Sequence, residues 1–193
     1  MRKIIVHEFI TLDGVIQAPG GAEEDTDGGF EHGGWTMPYW HDDIGARFLE
    51  LMKVADTLLL GRKTWQGHGA AFDPMEDDPF GNVMNAVQKV VVSTTLKTAD
   101  AWRNSSLISE NVLEEVRKLK DQSGGDILID GSSVLIHTLA ENDLIDEYLL
   151  HVYPLALGGG KRLFPEGKRM ELELVESEAL PTGVIFQKYQ TAG

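Results

Sequence analysis

The octapeptide Leu58-Leu59-Leu60-Gly61-Arg62-Lys63-Thr64-Trp65 indicates how this chain folds. Its three consecutive leucines predict a short strand that is buried on both faces, as in a parallel sheet covered by helices. The strand ends at a glycine that is followed by two cations and a hydroxyl. Glycine allows close backbone approach, and the first turn of a helix offers free N–H groups, so this strand end is suited to hold an anion. We therefore expect a ligand with phosphate groups, such as a nucleotide.

Other apolar runs alternate with helical patterns on both sides of the octapeptide. Strands are predicted at 3–10, 89–95, 106–108, 126–129 and 146–153, and helices at 42–54, from 112 to the glycines at 124–125, and after 131–133. The end of the chain, 172–189, predicts an antiparallel hairpin that turns at 180–183. Strands that alternate with helices become parallel neighbours joined by crossovers. We therefore predict an α/β fold with three α/β/α layers, a central mixed and mostly parallel sheet, and a single domain over residues 1–193.

The composition limits the kinds of partner that the chain is expected to bind. Its net charge of −14 argues against nucleic acid, because phosphate backbones need a basic surface. The chain has 0 cysteines, which excludes disulfides and thiolate metal sites and favours a cytoplasmic location. No apolar run approaches the roughly 18 residues of a membrane helix. Its histidines show no metal-ligand spacing, so we expect a small-molecule partner and no metal site.

Three predicted strand ends share the same polar character. They are Gly61-Arg62-Lys63-Thr64, Ser93-Thr94-Thr95 and Gly131-Ser132-Ser133. Each one alone is typical of a strand-to-helix turn with a capping hydroxyl. Together they favour one extended ligand, because ligands of open α/β sheets lie outside the carboxyl ends of the strands. The chain contains neither Gly-x-Gly-x-x-Gly nor the P-loop pattern, so those two fingerprints do not apply.

The segment 17–40, between the first strand and the first helix, is rich in glycine and carries several aromatic residues. Long loops without regular structure are usually functional or disordered, and aromatic residues are rare in disordered segments. We therefore expect either an ordered lid over the site or a flap in a homodimer interface. Trp35 and Tyr39 either stack on a substrate or contact a partner subunit. The acidic stretch 23–27 lacks calcium-loop spacing and is expected to be a solvated tip.

Several motifs resemble those of known reductases. Residues 60–65 resemble the cofactor-binding strand end of dihydrofolate reductases. Residues 12–16, Leu-Asp-Gly-Val-Ile, are similar to the exit of the first strand in those enzymes, and closer still to the Ser-Leu-Asp-Gly of the reductase domain of the bifunctional riboflavin-biosynthesis deaminase-reductase. The runs 144–154 and 157–164 resemble the same superfamily, so the resemblance spans almost the whole chain.

This resemblance implies a dihydrofolate-reductase-like fold and an NADPH-dependent reductase that acts on a small heterocyclic or sugar-derived acceptor. The activity it resembles most is the reduction of 5-amino-6-(5-phosphoribosylamino)uracil in riboflavin biosynthesis. The implied cofactor contacts are Val15 and Ile16 beside the nicotinamide, Gly61, Arg62, Lys63 and Thr64 at the adenosine-side phosphates, Ser93 and Thr94 at the 2′-phosphate, and Gly131, Ser132, Ser133 and Val134 at the pyrophosphate. The candidate substrate contacts are Trp35, Tyr39 and Tyr153, and we expect a homodimer.

Two aspartates are candidate catalytic residues with alternatives left open. Asp130 either caps the helix that follows it or faces the hydride-transfer position, where it binds a sugar hydroxyl or, if burial raises its pKa, donates a proton. Asp13 either shapes a turn or is a polar group of the active site. Two other functions remain as alternatives. One is dihydrofolate reduction, which the missing carboxylate near Gly45 disfavours, and the other is a catalytically silent nucleotide-binding dimer.

Overall fold

The computed structural model describes residues 1–192, which form an eight-stranded sheet flanked by five helices. The strands are β1 (Ile4–Thr11), β2 (Ala55–Gly61), β3 (Gln88–Val92), β4 (Ser105–Ile108), β5 (Asp126–Asp130), β6 (Glu147–Tyr153), β7 (Leu172–Ala179) and β8 (Ile185–Thr191). The helices are α1 (Asp42–Val54), α2 (Arg62–Phe72), α3 (Pro79–Ala86), α4 (Val112–Asp121) and α5 (Ser133–Glu141). None of the helices in this part of the chain combines the length and the apolar character that a membrane crossing requires.

The sheet has the strand order β4-β3-β2-β5-β1-β6-β8-β7. The first six strands in this order run parallel, and β8 and β7 add an antiparallel pair at one edge. The predicted mixed, mostly parallel sheet with a C-terminal antiparallel hairpin is therefore confirmed. Because parallel strands all end at the same side, β1, β2, β3, β5 and β6 bring their last residues to one edge of the sheet, which we call the carboxyl edge.

Strand β2 shows why the layers form. Leu59 packs into a core shared with α4 and α5, whereas Leu58 and Leu60 pack into a second core shared with α1, α2 and α3. All three leucines are completely buried, as a strand covered on both faces requires. The three-layer α/β/α arrangement predicted from this stretch is confirmed.

No regular element is predicted over 79–86 from the sequence, and the structure forms helix α3 there. Pro79 occupies the first position of the helix, where its missing N–H costs nothing. The Asp78 carboxylate accepts the N–H groups of Phe80 at 2.9 Å and Gly81 at 2.8 Å. An aspartate directly before a proline was therefore the overlooked signal for a helix start.

Candidate active site

Two of the three predicted anion-binding turns are joined directly at the carboxyl edge. The backbone N–H of Gly61 donates to Ser132 Oγ at 2.9 Å, and the Ser132 hydroxyl donates to Thr64 Oγ1 at 3.0 Å. Helices α2 and α5 therefore begin side by side. Within residues 1–192, no side chain caps the first turn of either helix. The free N–H groups of two helix starts thus face the same edge, an arrangement that favours anions.

Gly131 makes this close approach possible. Its φ of +70° lies in the left-handed region, and a Cβ built at this position would lie 2.9 Å from Thr64 Cγ2 and 3.1 Å from Thr64 Oγ1. Any larger residue would therefore combine backbone strain with a clash against α2.

We expect Gly131→Ala to lower the free energy of unfolding by about 1 to 3 kcal/mol, because of this strain and clash. Urea denaturation measures the change. Gly159→Ala is the matched control, since a Cβ there meets nothing within 4 Å and its φ is not left-handed. Equal losses in the two variants would contradict the structural role of Gly131.

The third turn, after β3, lies beside the first because β3 pairs with β2. Ser93 Oγ accepts the N–H groups of Thr95 at 3.2 Å and Leu96 at 3.1 Å, so this hydroxyl closes its own turn. Thr94 is exposed at the tip of that turn. Of the two residues predicted for a 2′-phosphate, Thr94 is therefore the one open to a ligand.

The two cations at the start of α2 have different surroundings. Arg62 bonds Gln66 Oε1 at 3.2 Å and has no carboxylate partner among the described residues. Lys63 pairs with Asp27 from the segment 17–40. Lys161 also binds Asp27, at 2.8 Å, and pairs with Asp25. We call this group of Lys63, Lys161, Asp25 and Asp27 the lysine clasp. The ammonium group of Lys161, and to a smaller extent that of Lys63, lowers the pKa of Asp27 to about 2.

The segment 17–40 folds back on its own chain, over the end of β6. Trp35 is buried and donates its indole N–H to the Gln17 carbonyl at 2.8 Å. The Trp35 ring meets the Tyr153 ring edge-on, with centroids 5.2 Å apart, and Tyr39 approaches Tyr153 at 6.0 Å. The three candidate substrate contacts are thus brought together by aromatic packing.

Asp130, the last residue of β5, lies between two histidines. Its Oδ2 is 2.9 Å from His68 Nε2 on α2, and its Oδ1 is 3.2 Å from His7 Nδ1 on β1. The alternative in which Asp130 caps α5 is wrong, because Ser132 occupies the N-cap position. Burial by itself raises the pKa of Asp130, but the hydrogen bonds from His68 and His7 outweigh it and hold that pKa well below its usual value. Asp130 is therefore a carboxylate, and the condition under which it would donate a proton is not met.

Glu8, which the sequence analysis did not single out, is the second carboxyl group at this edge. Its side chain is enclosed, with the residue only 2% exposed, and its Oε1 has no hydrogen-bond partner in the described chain. Burial, followed by the nearby charge of Asp130, raises the pKa of Glu8 well above its ordinary value. A glutamate inside the apolar run of β1 was the signal for it. Two carboxyl groups whose pKa values move in opposite directions are typical of acid–base sites.

Histidines complete the same region, although the sequence analysis considered them only as metal ligands. His151 on β6 lies 5.3 Å from His7 between ring centroids, and burial lowers its pKa to about 2, which keeps it neutral. Buried polar atoms that lack a partner in residues 1–192 concentrate here, namely His7 Nε2, both ring nitrogens of His151 and the Tyr153 hydroxyl. Such atoms normally find a partner in water or a ligand, so their clustering makes this region the candidate site.

Other predicted site residues lie outside this cluster. Asp13 accepts N–H groups from Leu157 at 3.2 Å and Gly158 at 2.7 Å, so it fastens the loop after β6 to the exit of β1. Val15 and Ile16 are buried in apolar cores and present little surface to a ligand. Val134 is 77% exposed in the first turn of α5, beside the turn at Gly131.

Two cavities flank the carboxyl edge. One of 470 Å³ lies between residues 27–32 and the glycine-rich loop 157–161, next to the lysine clasp. The other, of 620 Å³, lies on the opposite side of the β1 exit and is lined by Asp13, Arg162 and apolar residues of β1, β6 and β7. Asp130 lines neither cavity, and its side chain is partly exposed, at 22%.

Known proteins resemble this chain over its full length. The protein YyaP of Bacillus subtilis (strain 168), itself uncharacterized, is 32% identical over 198 residues, which span 100% of this chain and 96% of YyaP. A provisionally assigned riboflavin biosynthesis protein of Shewanella sp. PV-4 has the same fold, with a TM-score of 0.69 at 22% identity over 99% of both chains.

Dihydrofolate reductase from Enterococcus faecalis, crystallised with NADP(H), also shares the fold. Its TM-score is 0.61 at 18% identity, over 99% of this chain and 97% of the reductase chain. The resemblance to dihydrofolate-reductase-like proteins inferred from residues 12–16 and 60–65 is thereby confirmed at the level of the fold. Since the family model of the RibD C-terminal domain matches residues 2–186, the protein belongs to the RibD C-terminal domain family.

Proposed function

We propose that this protein is an NADPH-dependent reductase that transfers hydride to a small heterocyclic or sugar-derived acceptor. The observation that carries the proposal is the carboxyl edge itself. Two uncapped helix starts, tied together through Ser132, lie directly beside a partly buried carboxylate held by two histidines. Membership of the RibD C-terminal domain family supports an acceptor like 5-amino-6-(5-phosphoribosylamino)uracil.

The groups present at this edge fit a dinucleotide with an extra phosphate. The pyrophosphate would accept N–H groups from the first turns of α2 and α5, where Gly131 allows close approach. The 2′-phosphate would meet Arg62, which has no carboxylate partner in residues 1–192, and the exposed Thr94. The neighbour from Enterococcus faecalis, with NADP(H) bound on the same fold, agrees with this choice. When bound, such a cofactor supplies the hydride.

The residues of the chain then have to position the acceptor and exclude water. The segment 17–40 closes the edge through Trp35 and Tyr39, both of which pack on Tyr153. Asp130 remains charged and accepts hydrogen bonds from His68 and His7, so it fixes both rings at this edge. Asp13 has no catalytic role in this proposal, because backbone N–H groups already occupy its carboxylate.

Arg62→Ala is expected to weaken NADPH binding by about 10-fold or more while changing NADH binding little, because only NADPH has the 2′-phosphate. Nicotinamide fluorescence during titration measures both dissociation constants. Arg169→Ala is the control, since Arg169 is 87% exposed and pairs only with the nearby Glu171 among the described residues. Equal losses for both cofactors would show that Arg62 does not read the 2′-phosphate.

Turnover separates the competing functions. NADPH is mixed with the protein and either 5-amino-6-(5-phosphoribosylamino)uracil or dihydrofolate, and its oxidation is followed by absorbance. We expect oxidation with the pyrimidine. Oxidation with dihydrofolate alone would favour the folate activity, and binding of NADPH without oxidation by either compound would favour a silent nucleotide-binding protein. No binding of NADPH or NADH would overturn the reductase proposal.

A further inference from the structure

One face of helix α2 reaches from the anion-binding turn to Asp130. Thr64 and His68 are four residues apart, so their side chains lie on the same side of the helix. Thr64 accepts the hydroxyl of Ser132, and His68 contacts the carboxylate of Asp130 at 2.9 Å. The helix that would hold the cofactor phosphates therefore also places an imidazole beside the carboxylate at the end of β5.

The hydrogen-bond roles around Asp130 follow from its charge. An ionised carboxylate only accepts, so the imidazole nitrogens that face it, His68 Nε2 and His7 Nδ1, both carry protons. The second nitrogen of each ring is then free for another partner. For His7 that nitrogen is Nε2, which is enclosed, and its side chain is 3% exposed. For His68 it is Nδ1, on a side chain that is 21% exposed.

We propose that His68 is the acid that protonates the acceptor during reduction, that Asp130 is the positioning residue which orients the His68 ring, and that His7 anchors Asp130 from the buried side. This inference rests on the proposed reductase function. The arrangement follows the general pattern in which a carboxylate fixes one ring nitrogen of a histidine so that the other acts on the substrate.

The proton and electron balance of the step is simple. The electrophilic carbon of a C=O or C=N bond gains the hydride, and the π electron pair of that bond moves to the oxygen or nitrogen. This atom takes the proton from Nδ1 of the His68 imidazolium. His68 is left as the neutral Nε2–H tautomer, which the hydrogen bond to Asp130 stabilises, and it regains a proton from solvent after the product leaves.

Other titratable groups near this position are less suited to the role. Asp130 is held as an acceptor by both histidines. His7 and Glu8 on β1 are enclosed, with exposures of 2% each, so a substrate atom does not reach them. His151 on β6 is neutral because of its burial. His68 is the group that combines a fixed ring, a free nitrogen and access to the surface.

The test compares His68→Gln with the unmodified protein. Glutamine keeps an N–H for Asp130 but cannot act as an acid. We expect kcat with NADPH and 5-amino-6-(5-phosphoribosylamino)uracil to fall about 100- to 10,000-fold, with the Kd for NADPH unchanged within about 2-fold. His68→Ala should regain part of its activity when imidazole is added. The control is His137→Gln. His137 lies on α5, where its ring bonds the backbone carbonyl of Arg162, and it does not touch Asp130.

Nitrogen-15 NMR of the imidazoles gives a readout that does not depend on turnover. Neutral His68 is expected as the Nε2–H tautomer, and Asp130→Asn is expected to shift that preference. An Nδ1–H tautomer in the unmodified protein, or turnover that persists in His68→Gln, would overturn the role of His68 alone. Failure of the unmodified protein to bind NADPH, or to oxidise it with the pyrimidine, would instead overturn the proposed function on which this role rests.

Discussion

Replacing Asp130 with leucine is expected to lower the free energy of unfolding by about 3 to 5 kcal/mol. The carboxylate accepts one bond from His7 and one from His68, and leucine would leave both ring N–H groups without this acceptor, the one on His7 in an enclosed position. Urea denaturation, monitored by circular dichroism, measures the change through the transition midpoint.

Asp130→Asn is the matched control for this effect. Asparagine has the same shape and keeps one oxygen acceptor, so we expect a loss of about 1 kcal/mol. A leucine variant whose free energy of unfolding lies within about 1 kcal/mol of that of the unmodified protein would contradict the role of these hydrogen bonds. It would mean that the two imidazoles find other partners.

Glu8→Gln is expected to stabilise the protein at pH 8 and to have much less effect at pH 4. Burial and the charge of Asp130 raise the pKa of Glu8 in the folded chain, so the folded state keeps a proton that the unfolded state loses above its ordinary pKa of about 4.3. The folded state then binds more protons, and stability falls as the pH rises through this window. Glutamine needs no such proton, so the variant avoids this loss of stability. Its gain in the free energy of unfolding over the unmodified protein therefore grows by up to about 1.4 kcal/mol per pH unit, until Glu8 of the folded unmodified protein ionises.

Thermal unfolding at the two pH values tests this prediction, with about 2 to 4 °C expected for each kcal/mol in a chain of this length. Glu110→Gln is the control, because Glu110 is exposed and makes no ion pair among residues 1–192. A gain from Glu8→Gln that is the same at pH 4 and pH 8 would contradict the prediction. It would show that the pKa of Glu8 is the same in the folded and the unfolded chain.

The fold was predictable where local pattern and burial agree. Leu58-Leu59-Leu60 followed by Gly61 has the composition of a strand buried on both faces, and the structure places it at the centre of the sheet. The hairpin of β7 and β8 was equally clear from its turn residues. Helix α3 was not predicted, although the capping carboxylate of Asp78 sets its start.

The candidate site could not be derived in the same way. Asp130 meets His68 across 62 residues and His7 across 123, and no local periodicity encodes contacts at such separations. The sequence identified Asp130 as a polar residue at a strand end, but its ionisation depends on neighbours that only the folded sheet supplies. Glu8 was overlooked for a related reason, since its burial depends on the central position of β1 between β5 and β6 in the folded sheet.

The lysine clasp gives the carboxyl edge its own counter-ion. Asp27 already neutralises Lys63, so a phosphate that arrives at Lys63 exchanges with a carboxylate instead of adding to a bare cation. The pair between Lys161 and Asp25 keeps the loop tethered during this exchange. Dissolved salt screens both the outgoing and the incoming pair, so under the proposed function the affinity for a phosphorylated cofactor would depend less steeply on ionic strength than at an open cationic site. In a chain of net charge −14, the two lysines of the clasp are thus paired with carboxylates before any anion binds.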